Sequence, residues 1–395
     1  MKVIFLGTAS AYPTPDRGVS CIGLKNEDWV WLFDCGEGSQ TQVMKSEIKP
    51  GKISKIFITH LHGDHCYGLP GLMCTISQNN QRSEPVEIYG PEGLRKFLRT
   101  SLSLSQSQLG FDYIVHELKM IPEQYVFETS GAILTWDVNL SCDDVLHPNE
   151  RPGLLIECDR DKVWELYDDN KIGVKAVWLK HRIPSFAFVI QEKPIAGKLD
   201  AAKLKAKGVP PGPLYSKIKA GEKITAPSGE KLFKVFIGLG IICSKAKIAA
   251  AINRLLMGKL GIPLLISPRD VVGPPRPGRK VIICGDTCWS EELLKVGQNA
   301  DILVHEATLQ NSCKDTAIQN GHSTPDMAAD IAQRLDVEKL VLTHYSQRYK
   351  PINCTDTENQ ETVQILYDEA ASVMGKDRVV AAYDLLSISV PLKSS

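Results

Sequence analysis

The stretch Ile53 to His65, ISKIFITHLHGDH, constrains this chain more than any other. Ile56, Phe57, Ile58 and Thr59 read as a short buried β-strand, and a strand that runs into His60 delivers that imidazole to the rim of a sheet. In an extended segment residues two apart share a face, so His60 and His62 can hold one metal ion. Gly63 permits a sharp turn, after which Asp64 and His65 can aim at a second ion a few ångströms away. Lone histidines are usually ordinary loop residues. Three of them with an aspartate in six consecutive positions, in a chain with only nine histidines, are not.

The same arrangement recurs downstream. His181 follows the strand-like run Val174 to Leu179, Asp286 follows Val281 to Cys284, and His344 follows Leu340 to Leu342. Ile302 to Val304 leads into His305-Glu306-Ala307-Thr308. His322 precedes a helix start, with Ser323 as N-cap and Asp326 as its capping-box acid. Repeated delivery of a histidine or aspartate at strand ends is hard to produce by packing alone. Asp34, at the end of the strand Trp29 to Asp34, has no histidine beside it, and is expected to hydrogen-bond the metal loop instead of ligating. His116 and His147 have no partner in local sequence and are expected to be structural or surface residues.

Around these points the chain reads as α/β. Lys2 to Leu6, Ser20 to Lys25, Val86 to Tyr89, Phe111 to Leu118, Lys171 to Leu179 and Phe186 to Gln191 suit strands. Ser39 to Lys45, Gly68 to Ser77 and Pro91 to Leu104 suit helices, the last opened by its proline. The β-α-β-α rhythm predicts layered packing. Lys119 to Asn170 carries no interpretable motif. Lys193 to Lys223 changes character: Lys198, Lys203, Lys205, Lys207, Lys217 and Lys219 face few acids, Pro211-Gly212-Pro213 is turn-like, and little in it can be buried. It reads as a solvated loop or as a basic arm for phosphate backbone, with Tyr215 available for stacking.

Lys plus Arg and Asp plus Glu both number 46, so a polyanionic partner must be met by a local basic surface and not by a global field. The N-terminus carries no secretory pattern, and the longest apolar run of Phe233 to Leu265, Val235 to Cys243, is too short to cross a bilayer. Eleven cysteines without a C-x-x-C pair fit reduced thiols in the cytosol or nucleus. Cys35, Cys66, Cys284 and Cys288, close to the candidate site, are expected to be packing residues.

The string H-x-H-x-D-H resembles the signature of the metallo-β-lactamase superfamily, which implies a four-layered αββα sandwich with a two-zinc site between the edges of its sheets. FLGTASAYPTPDRG, FDCGEGSQTQ, ITHLHGDHCYGLPGL, LKHRIPSF, PPGPLY, CGDT, HEAT, GHST and LTHYSQRY, in that order, resemble the short form of tRNase Z, the ELAC-type endoribonuclease that trims the 3′ end of precursor tRNA. The resemblance runs from Met1 to about Leu392. It implies one metallo-β-lactamase domain over residues 1–395, with 193–223 as a protruding basic substrate arm. His60, His62 and His181 would hold one zinc (Zn2+), Asp64, His65 and His344 a second, and Asp286 would bridge them. Asp64 would accept the proton of the attacking water, and His322, held by Glu306, would donate one to the departing 3′ oxygen. The family also implies a homodimer, and the arm residues would bind tRNA. Ser10 stands where the family usually has glycine. Phe233 to Leu265 interrupts the expected passage from GEKL to ISPRDVV and reads as an insert, of the kind a retained intron would encode. A thioester or lactam hydrolase on the same metal site would have no use for the lysine arm or GHST. A non-catalytic RNA-binding scaffold would not need the full ligand set.

Overall fold

The computed structural model describes residues 1–78, 82–125, 145–226, 265–352 and 361–393. The predicted insert 233–265 falls outside them except for Leu265, as does part of the uninterpreted 119–170 stretch. Two compact units divide the chain, one formed by Met1–Glu192 with Arg279–Leu392 and the other by Lys193–Gly278 with the last three residues.

The larger unit is a four-layered sandwich. Its nine-stranded sheet includes Lys2–Gly7, Cys21–Lys25, Val30–Phe33, Ile53–Phe57, Val86–Pro91 and Tyr113–Leu118 as successive neighbours. Its seven-stranded sheet runs Val379–Ala381, Lys339–Thr343, Ile302–Glu306, Lys280–Cys284, Ser185–Glu192, Ile172–Leu179 and Val163–Asp168. Period-two alternation assigns the layers. Val3 and Phe5 point between the sheets with Phe33, Phe57, Phe188, Val281 and Val341, while Ile4, Leu6, Ile56 and Ile88 pack on the helices Leu69–Ser77 and Leu94–Leu104. On the far side Ile282, Leu303, Leu340 and Leu342 pack on Pro325–Arg334 and Val363–Met374. Both faces of the central strands are therefore buried. Such strands read as unbroken apolar runs, which is why they stood out in the sequence.

The differences from the sequence reading lie at element ends. Pro91 closes a strand and does not open a helix: Leu94–Leu104 starts after Gly93, and Glu117 Oε1 accepts from the Gly93 and Arg95 N–H groups at 2.9 and 3.0 Å. The expected capping box at Ser323 is absent, because Thr324 is the N-cap of Pro325–Arg334 and Ser323 Oγ donates to the Thr287 carbonyl. Asp326 accepts instead from Asn311. The uninterpreted region contributes Val163–Asp168, whose Trp164 is fully buried. Among the described residues the cysteines are free, and no helix is long and apolar enough to cross a membrane.

The lysine-rich segment buries more than its composition suggests. Ala201–Ala206 is a helix with Asp200 as N-cap, Pro213 opens Pro213–Lys219, and Ile224–Thr225 pairs with Leu265–Ile266. Leu204, Val209, Ile218, Ile224, Ile266 and Val271 form a core of their own, so the segment is neither a bare loop nor confined to 193–223. Tyr215 packs against that core and its hydroxyl donates to Val209 O at 3.2 Å, which removes it as an exposed stacking ring.

Candidate active site

The strands Val30–Phe33, Ile53–Phe57, Lys280–Cys284, Ile302–Glu306 and Lys339–Thr343 carry their chemistry at their C-terminal ends, where open α/β sheets bind ligands. The strand before His60 stops at Phe57, two residues earlier than expected, because Thr59 turns toward Asp34. The Thr59 N–H and Oγ1–H both donate to the Asp34 carboxylate, at 2.7 and 2.9 Å. Asp34 also accepts from His65 Nδ1 at 2.7 Å, and it adopts a left-handed φ of 60° that its bonds must hold. Its expected role as support for the metal loop is what the geometry contains. Gly63, in contrast, makes no unusual turn. It begins the short helix Gly63–Cys66, and a Cβ there would meet the Tyr67 ring at 2.3 Å.

Four histidines repeat one orientation. His60 Nδ1 bonds Thr59 Oγ1 at 3.0 Å, His65 Nδ1 bonds Asp34, His181 Nδ1 bonds the Gly321 carbonyl at 2.7 Å, and His344 Nδ1 bonds Thr308 Oγ1 at 3.0 Å. Assigning each Nδ1 as the donor leaves every Nε2 with a free lone pair. These lone pairs converge. His62 Nδ1 lies 3.1 Å from His60 Nε2 and 3.2 Å from His181 Nε2, and His65 Nε2 lies 3.2 Å from His344 Nε2. Facing lone pairs repel unless a proton or cation sits among them, so this donor set fits a metal.

Asp286 divides its carboxylate between the two groups. Its Oδ2 is 3.7 Å from His60 Nε2 and 3.9 Å from His181 Nε2, and its Oδ1 is 3.4 Å from His65 Nε2 and 3.3 Å from His344 Nε2. Asp64 Oδ2 completes the second group, 3.3 Å from His344 Nε2. Ligand atoms of His60, His62, His181 and Asp286 all lie within 4.8 Å of one another, as do those of Asp64, His65 and His344. Imidazole nitrogens with carboxylate oxygens are the donors zinc takes. Beside them, His322 Nδ1 lies 3.1 and 3.2 Å from the two oxygens of Glu306, which also accepts from Thr287 N at 2.7 Å and from Thr308 Oγ1.

Matches to known proteins agree with this geometry. A beta-lactamase superfamily domain model matches residues 271–345, and a model of the anti-Pycsar protein Apyc1 matches residues 1–165. The crystal structure of human short-form tRNase Z aligns over 99% of this chain and 100% of that one, with a TM-score of 0.62 and 34% identity. Human zinc phosphodiesterase ELAC protein 1 is 42% identical over 100% of this chain and 99% of its own length. The chain belongs to the ribonuclease Z family. Ribonuclease Z of Prochlorococcus marinus is 34% identical over 99% of both sequences. With the ribonuclease Z family goes the metallo-β-lactamase fold, seen here as two sheets between two helical layers.

In this ribonuclease Z family member the site's electrostatics separate its histidines. Burial pushes the His60 and His181 pKa values well below the ordinary range and that of His62 to about 4, which keeps their ligand nitrogens unprotonated. For His322 burial acts the same way but loses: the Glu306 carboxylate, then Asp286, raise it to about 9. His65 goes the other way: burial lowers its pKa, but the carboxylates of Asp286, Asp34 and Asp64 outweigh it and raise the pKa well above the ordinary range, so this imidazole must give up a proton to take a metal.

Several site residues escaped the sequence. Ala11, at a left-handed φ of 61°, donates its N–H to Asp64 Oδ2 at 2.7 Å, and backbone roles leave no residue-type signal. Thr59 and Thr308 orient histidines, and their positions beside HLHGDH and within HEAT were the available clue. Gly321 has a φ of 79° and packs so close to His181 that a Cβ would meet Nδ1 at 2.7 Å. The cleft over the cluster, about 300 Å³, is lined by Ala11, His62, Asp64, Asp286, His322 and His344 together with Ser10, Glu37, Tyr67 and Arg182. Asp34→Ala, which removes the acceptor of both Thr59 and His65, is expected to weaken zinc binding by about 10- to 100-fold, measured by competition with a chromophoric chelator.

Proposed function

We propose that this ribonuclease Z family member is a zinc-dependent endoribonuclease that removes the 3′ trailer from precursor tRNA, in maturation or repair, leaving a tRNA 3′-hydroxyl and a 5′-phosphorylated trailer. The observation that carries it is the Asp286 carboxylate, one oxygen toward His60 and His181 and the other toward His65 and His344, with His322 alongside. His60, His62 and His181 would hold one zinc and Asp64, His65 and His344 the other, with Asp286 between them. Two bound zinc ions supply the charge that lowers the pKa of a water toward about 7 and neutralises a phosphodiester. Asp64, oriented by the Ala11 N–H, accepts the proton of the attacking water. His322, kept protonated at neutral pH by Glu306, gives its proton to the departing 3′ oxygen. Glu306 is itself fixed by Thr287 and Thr308 and positions the imidazole.

An acyl-substrate hydrolase would leave the exposed lysines of Ala201–Ala206 and Pro213–Lys219 without a role. The convergent lone pairs disfavour a metal-free scaffold. Purified protein incubated with a 3′-extended tRNA should release the trailer, chelator should stop the release, and zinc should restore it. Cleavage indifferent to chelator would contradict the proposal. The enzyme is taken as a homodimer, which sedimentation equilibrium checks.

We propose that the second unit binds substrate through Lys198, Lys203, Lys205, Lys217 and Lys219, which are exposed, Lys207, which is half-buried, and the exposed Pro211, Gly212 and Pro213. A groove of about 310 Å³ there is lined by Lys198, Lys203 and Arg269, the last unforeseen in the sequence, together with the carboxylates of Asp200 and Asp270. Because this unit has its own core, substitution is a cleaner test than deletion. Changing Lys203, Lys205, Lys217 and Lys219 to alanine should raise KM for precursor tRNA and flatten its salt dependence, by roughly one unit of log–log slope for each phosphate that is no longer neutralised. Hydrolysis of bis(p-nitrophenyl) phosphate should continue. Equal losses on both substrates would assign those lysines to folding.

A further inference from the structure

Tyr67 is the large apolar side chain on the rim of the catalytic cleft, and packing does not explain its exposure. It is 63% exposed although it follows the buried pair His65 and Cys66. Its hydroxyl makes no hydrogen bond to the described residues. The ring is nevertheless held. One side lies over Gly63, where a Cβ would meet three ring carbons at 2.3 to 2.7 Å, and the Phe97 ring stacks near it at 6.2 Å between centroids and 28° between planes. The cleft thus has an aromatic surface fixed beside His62 and Asp64, with Arg182 also on its lining. An immobilised, open ring is the feature with which proteins bind unpaired nucleobases, because each base has a π-face and the ring loses little freedom on binding.

The position of His322 tells which base. Gly321 and His322 adjoin His181, and Gly321 also Arg182, whereas Tyr67 packs over Gly63. If His322 protonates the leaving 3′ oxygen, the last tRNA nucleotide belongs beside His322, and the ring over Gly63 is left for the nucleotide on the other side of the scissile phosphate. We propose that Tyr67 is the stacking platform for the base of the first trailer nucleotide. This rests on the tRNA-trailer function proposed above.

The test combines protein and substrate changes. kcat/KM is measured for the wild type, Tyr67→Ala and Tyr67→Phe on three precursors: intact, abasic at the first trailer nucleotide, and abasic at the last tRNA nucleotide. On the intact precursor Tyr67→Ala should lose about 5- to 150-fold, the span measured for base–aromatic stacking, and Tyr67→Phe should recover most of it. On the precursor abasic in the trailer the loss from Tyr67→Ala should shrink to about two-fold, because there is no base left to stack. An equal loss on intact and trailer-abasic precursors would mean that the ring only props the Gly63 turn, and would overturn the proposal. So would a loss that disappears with the abasic tRNA nucleotide instead. Failure of the wild type to cut the intact precursor would overturn the underlying function and is distinguishable from both.

Discussion

Asp286→Ala should lose zinc and activity together. Each oxygen of this carboxylate faces a separate group of histidines, so its removal leaves two cation positions adjacent with no anion between them. Zinc measured by atomic emission should fall from two per chain to below about one, and trailer release should drop by more than about 10³-fold, since the charge-stabilising role of both ions goes at once. Circular dichroism should remain that of the folded protein, because Asp286 follows the strand Lys280–Cys284 and lies outside its ladder. Retention of two zincs with a near-normal rate would refute a bridging role.

His322→Ala should behave in the opposite way, keeping its zinc while kcat falls by roughly 10²- to 10⁴-fold, the range for a lost general acid. If zinc is lost, His322 is a ligand. The pH profile gives a second readout. The neighbouring Glu306 raises the His322 pKa to about 9, so the proton is present below that pH and is lost as pH rises through it. Bound cations act against Glu306, so the basic limb of kcat should lie at or below about pH 9. Glu306→Gln removes the charge that raises the pKa, and the limb should therefore move to lower pH. A limb unmoved by this substitution would show that His322 is not the titrating acid.

The proposed ligands were visible in the sequence because His60, His181, Asp286 and His344 each sit just beyond an apolar strand buried on both faces. Leu340 to Leu342 followed by His344, or Val281 to Cys284 followed by Asp286, is a pattern that local sequence alone can carry. Their convergence was not. It depends on pairing between strands far apart in sequence, such as Ile302–Glu306 with Lys339–Thr343, and on Asp34 drawing Thr59 out of its strand. Element starts were the weakest part: Pro91 and Ser323 carried ordinary helix-start signals, but Glu117 and Thr287 offered partners from elsewhere in the fold. The lysine segment misled for a different reason. Its core uses few apolar residues spaced within charged helices and completes itself only with Ile266 and Val271, beyond residues 227–264.

The proposal is that the residues around Asp286 would hold two zinc ions and that water is the nucleophile. It is tested most directly by stripping the protein of metal, titrating zinc back, and following zinc content, trailer release and the chemistry of both product ends together. Release should be absent without zinc and reach its plateau at two zincs per chain, with a 3′-hydroxyl on the tRNA and a 5′-phosphate on the trailer. Release from the stripped protein, or a tRNA ending in a 2′,3′-cyclic phosphate, would contradict it, because the nucleophile would then be the RNA's own 2′-hydroxyl.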